Sequence, residues 1–141
     1  MASILKVDAL TGVTTAGSIS VTGEGNSTTT NLQQGLSKAW VNFDGTGTVA
    51  TRDSFNITSL SDNGTADYTI SYASSLGNDD YSISGISANM GSTMSQIWIA
   101  SSADVAAGSF RMRTFYVSNT GGGGGAADQT FVSVQIQGDL A

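Results

Sequence analysis

From Ala39 onward, apolar side chains fall on every second residue, in short runs cut by glycine, asparagine and aspartate. Successive side chains of an extended chain point to opposite faces, so such a run buries one face and wets the other. Ala39 to Asp44 sets Val41 and Phe43 against Trp40 and Asn42. Asp67 to Ala73 gathers Tyr68, Ile70 and Tyr72 on one face. Phe110 to Val117 alternates Phe110, Met112, Thr114 and Tyr116 with Arg111, Arg113, Phe115 and Val117. Gln129 to Gln137 aligns Val132, Val134 and Ile136. Val49 to Ile57, Tyr81 to Ile86 and Gln96 to Ala100 are further expected strands. Turns are marked by Gly45-Thr46-Gly47, Asp62-Asn63-Gly64 and Asn78-Asp79-Asp80. Asn63-Gly64 is the strongest of these signals, because both residues tolerate the positive φ angles of a tight hairpin. Turns recur about every 8–14 residues, the rhythm of a sandwich or barrel. Helical runs do not alternate with these strands, which argues against a parallel βαβ sheet. The expected fold is all-β: an antiparallel β-sandwich, jelly-roll-like, over residues 36–141.

The first 35 residues differ. Their apolar side chains are few and aromatics are absent. Such a segment cannot offset its own conformational entropy, so it orders against another chain or stays mobile. We read residues 1–35 as an extended N-terminal arm for attachment or oligomerisation. Its candidate contact residues are Ile4, Leu5, Val7, Leu10, Val13, Ile19 and Val21. Ser18 to Val21 has strand alternation. Asn31 to Lys38 holds a helical turn weakened by Gly35, a hinge between arm and domain.

Chemistry is constrained by what is missing. The 141 residues include no cysteine and no histidine. Disulfides, thiolate or imidazole metal sites and Ser-His or Cys-His nucleophile systems are therefore excluded. Carboxylates remain, but the single Glu24 lies in the arm, and most aspartates sit beside Gly, Asn or Ser in turns, where they accept backbone hydrogen bonds. Asn78-Asp79-Asp80 and Asp62-Asn63 lack the spacing of a calcium loop. No catalytic residue, metal or cofactor is expected. The five basic residues, Lys6, Lys38, Arg52, Arg111 and Arg113, are scattered and the net charge is −6, so no electrostatic footprint for nucleic acid exists. No apolar run reaches the ~20 residues of a membrane helix, and the first residues lack the layout of a secretory signal. Charged residues make up only 11% of the chain, so few charges need desolvation when subunits meet. Two features are left for recognition. Gly121, Gly122, Gly123, Gly124 and Gly125 form a candidate hairpin-tip contact loop. Trp40 and Trp98 suit a core or subunit interface more readily than sugar stacking.

Two stretches carry a resemblance. One is the opening Met-Ala-Ser-Ile-Leu-Lys-Val-Asp with its following Gly/Thr/Ser tract. The other runs from Leu36 to Tyr72, through Ala39-Trp40-Val41-Asn42-Phe43-Asp44-Gly45, Arg52-Asp53-Ser54-Phe55-Asn56-Ile57 and Asp62-Asn63-Gly64-Thr65. Together they resemble virion structural proteins of tailed, cyanophage-like bacteriophages, of the tail-fibre and appendage type. The resemblance implies a non-enzymatic virion component and carries no catalytic residue. It implies a homo-oligomer, often a trimer, that is assembled in the host cytoplasm and contacts other virion proteins. The expected function is a short tail fibre or appendage that docks through its arm and displays the β-domain for host attachment. Alternatives are a capsid decoration protein, of cement or head-fibre type, and a receptor module that binds host-surface glycan.

Overall fold

A computed structural model of the chain describes residues 4–12, 19–22, 29–88, 93–118 and 121–139. The chain divides into two compact units, Met1–Leu36 and Ser37–Ala141.

In the first unit, β1 (Ser20–Thr22) pairs antiparallel with β2 (Thr29–Asn31). A single helical turn, α1 (Leu32–Gly35), follows. The Asn31 side chain caps it by accepting from the Gln34 N–H at 3.2 Å. The Leu32 N–H donates to the Ile19 carbonyl at 2.8 Å, tying the turn to the start of the hairpin.

The second unit is an antiparallel β-sandwich. Its strands are β3 (Ala39–Asp44), β4 (Ala50–Phe55), β5 (Ile57–Gly64), β6 (Asp67–Tyr72), β7 (Ser82–Ala88), β8 (Thr93–Trp98), β9 (Val105–Ala106), β10 (Ser109–Ser118), β11 (Gly124–Ala126) and β12 (Phe131–Gln137). One sheet has the order β4-β3-β12-β7. The other is built around β10, whose first half pairs with β6 and β9 and whose second half pairs with β8 and β11; β5 pairs with β6. Since β6 and β9 share Ser109 and Phe110 as partners, they lie on opposite edges of β10. The alternating residues read from the sequence face inward. Val41, Phe43, Tyr68, Ile70, Tyr72, Phe110, Met112, Val132, Val134 and Ile136 form one buried core between the sheets. Phe43 meets Tyr68 edge-on across it, with ring centroids 5.1 Å apart.

Where the sequence suggests one strand from Val49 to Ile57, the structure has two. Asn56 separates them at φ 56°, a left-handed conformation that asparagine tolerates. Its side-chain N–H groups donate to the carbonyls of Lys38 and Ser74, and its oxygen accepts from the Ser74 N–H. These bonds make Asn56 the corner where the chain leaves the first sheet for the second. The following hairpin also differs in its tip. Asn63 is the extra residue of a bulge, and the turn itself is Thr65-Ala66. Asn63 donates instead to Asp67 Oδ1 and Thr69 Oγ1.

The edge strand β4 is bulged as well. Asn42 pairs with Asp53 but Phe43 with Thr51, leaving Arg52 as the extra residue. Its guanidinium donates to the carbonyls of Phe43 and Thr130 and to Asp44 Oδ2. A charged, bulged strand resists adventitious pairing with another chain. On β7, Gly85 leaves room that a side chain would take. A Cβ there would lie 2.7 Å from the Ser133 carbonyl oxygen and 2.9 Å from Ile97 Cδ1.

Candidate functional site

Two surfaces hold the residues singled out from the sequence. The first is in the N-terminal unit. Ile4, Leu5, Val7 and Leu10 lie in non-repetitive backbone and are 79, 79, 56 and 58% exposed. Val21 is exposed on β1, and Ile19 is half-buried at its start. Val13 lies outside the described residues. Ile4, Leu5, Val7, Leu10 and Val21 are therefore not buried within their own unit.

The second surface is the outer face of the β10 sheet. Ile97 and Ile99 turn toward the core, so the period of β8 drives Gln96 and Trp98 outward. On β10, Phe110, Met112 and Thr114 are buried, so Arg111, Arg113 and Phe115 face out with them. The register places Trp98 opposite Arg113 and Gln96 opposite Phe115. Trp98 is 54% exposed. Its ring is therefore not in the core of the chain, one of the two places its sequence context favoured. Trp40, on the outer face of β3 opposite Phe55 and Gln135, is half-buried.

Charge on this face is locked. Asp67 receives both Arg111 Nε and Nη2 at 2.7 Å in a two-pronged ion pair, and Arg113 Nε at 3.1 Å. Arg113 Nη1 also lies 3.8 Å from Asp104 Oδ2. The Arg111 guanidinium, helped by Asn63 and Arg113, holds the Asp67 carboxyl at a pKa of about 2. Because that value lies below the ordinary 3.8, the charged carboxylate favours the folded state. The contribution is complete above about pH 4 and is lost as pH falls through 2. Asp67→Asn is expected to cost about 1 kcal/mol at neutral pH, as befits a half-exposed pair. It should also flatten the acid limb of a denaturant-midpoint profile between pH 4 and 2. An unchanged acid limb in the variant would count against the assignment.

The glycine run occupies the hairpin joining β10 to β11. Gly121 and Gly123 have φ of 84° and 72° in the turn, and Ser118 N–H donates to the Gly123 carbonyl. Gly124 and Gly125 are already strand, opposite Val117 and Tyr116. The run serves the outer face as well as the tip. A Cβ on Gly124 would collide with the Tyr116 carbonyl oxygen and approach Phe115 Cε1 to 3.1 Å. The missing side chain gives the Phe115 ring its place.

At one end of the sandwich stands an aspartate that the sequence does not mark out. Asp128 Oδ1 accepts from the Tyr68 hydroxyl at 2.7 Å and from the Ala66 N–H at 2.6 Å. Burial, reinforced by this carboxylate, pushes the Tyr68 hydroxyl well above the usual phenol range. Beside it, Thr114 Oγ1 and Gln129 Nε2 both donate to the Ala127 carbonyl, and Ser95 Oγ donates to Gln129 Oε1. Each of these groups finds a partner within the fold, so the cluster is a polar closure of the sandwich. Among the described residues, no three of Asp and Glu gather as a metal site would require.

No protein-family model matches the sequence, and no curated protein or solved structure is significantly similar to the chain.

Proposed function

We propose that the chain is a non-enzymatic structural protein of a tailed-phage virion, a short homo-oligomeric appendage that docks through residues 1–35 and displays the β-sandwich. One observation supports this above the rest. Of the nine large apolar side chains exposed among the described residues, six (Ile4, Leu5, Val7, Leu10, Val21 and Leu36) belong to the first 36 residues. Exposed apolar area costs about 25 cal/mol per Å², which burial against a partner would recover. The sandwich, by contrast, buries an apolar core of its own. The sequence resemblance to phage appendage proteins accounts for the partners: further copies, in a trimer, and a neighbouring virion protein.

The test uses the full chain with Leu5, Val7 and Leu10 all replaced by aspartate. The sandwich should melt as before, since these residues lie outside its core. Native mass by light scattering should fall to that of a monomer, and incorporation into particles should be lost. Unchanged mass together with normal incorporation would overturn the arm's role. Labelled particles would distinguish a tail from a head position.

A further inference from the structure

We propose that the outer face around Trp98 is a binding platform for neutral hexopyranose sugars. Gln96, Trp98 and Phe115 line a shallow depression of about 320 Å³ on the β10 sheet. The indole is held on the strand by the burial of Ile97 and Ile99, yet none of the ring contacts of the described residues, Phe43–Tyr68, Tyr72–Tyr81 and Tyr72–Phe110, involves it. A large aromatic exposed on a sheet, 54% accessible, offers apolar ring surface with little entropy left to lose. The C–H face of a pyranose ring is its complement in size and polarity.

The rim supplies what a sugar needs next. Gln96 is exposed beside the rings and carries both a donor and an acceptor for a vicinal hydroxyl pair. Arg113, directly across from Trp98, is fixed by Asp67 and Asp104, so its remaining N–H donors are positioned in advance. Arg111 and Arg113 are balanced by Asp67 and Asp104, which leaves the face without net charge. That neutrality selects against sialic or uronic acids, which require an unpaired cation.

The platform does not depend on the arm, so it survives or fails separately from the assembly reading. The experiment uses the full chain with Trp40→Phe, which leaves Trp98 as the sole indole. Oligosaccharides of glucose, mannose and galactose are titrated against its fluorescence, with sialyllactose as the acidic comparator. In parallel, the unsubstituted chain and Trp98→Ala are compared on a glycan array and by light scattering. We expect a saturable fluorescence change with a neutral oligosaccharide and at least a tenfold weaker affinity in Gln96→Ala. Array binding should be lost in Trp98→Ala, whose melting temperature and native mass stay unchanged. The proposal is overturned by any of four results: no neutral sugar bound, binding that persists in Trp98→Ala, binding of the acidic sugar alone, or a native mass that falls in Trp98→Ala. The last would make this face a contact between copies.

Discussion

Phe43→Ala is expected to destabilise the sandwich by about 3–5 kcal/mol, the range for deleting a fully buried aromatic ring. Phe43 has no exposed surface and packs edge-on against Tyr68 of the opposite sheet. Removing the ring forfeits its transfer free energy and leaves a cavity between two sheets whose strands are pinned by their ladders. Collapse to fill it would require Tyr68 to move, and the Tyr68 hydroxyl is tied to Asp128. Urea unfolding would read the loss as a lower midpoint at constant slope. A loss below about 1 kcal/mol would show that the two sheets close freely over the gap, against the packing described above.

Asp128→Ala is expected to cost about 1–3 kcal/mol, the penalty of one orphaned buried donor. That donor is the N–H of Ala66, a residue with φ of 61° and no glycine to ease it. The buried Tyr68 hydroxyl loses its shorter bond but keeps the Gly45 carbonyl, 3.2 Å away, as an acceptor. The same carboxylate therefore holds a core tyrosine and stabilises the strained turn between β5 and β6. Asp128→Asn keeps an acceptor oxygen and should cost about 1 kcal/mol, the usual worth of a neutral hydrogen bond. Equal losses in the two variants would mean that the charge, and not the acceptor, is what matters. Since Phe43 and Asp128 both act on Tyr68, the two alanine substitutions should not add. A double-mutant cycle should show coupling of at least about 0.5 kcal/mol, whereas independent sites would show none.

The alternation in Ala39–Asp44, Asp67–Ala73, Phe110–Val117 and Gln129–Gln137 was enough to assign the fold class and most of the core. The reason is local: a period of two places one set of side chains on one face, whatever the sheet order. The lack of cysteine and histidine was equally decisive for chemistry, since no arrangement in space can supply a missing functional group.

Three things required the tertiary structure. Asn56 turns the corner between sheets because its amide bridges Lys38 and Ser74, which lie 18 residues away on either side. A window of neighbouring residues carries no trace of that. Nothing beside Asp128 in the chain marks it until Tyr68 and Ala66, some 60 positions earlier, arrive at its oxygen. Trp98 illustrates the third. Alternation could say that it faces away from Ile97 and Ile99, but not whether a second layer covers that side. Coverage is decided by which strands end up neighbours, and that depends on long-range pairing energies that no local pattern encodes.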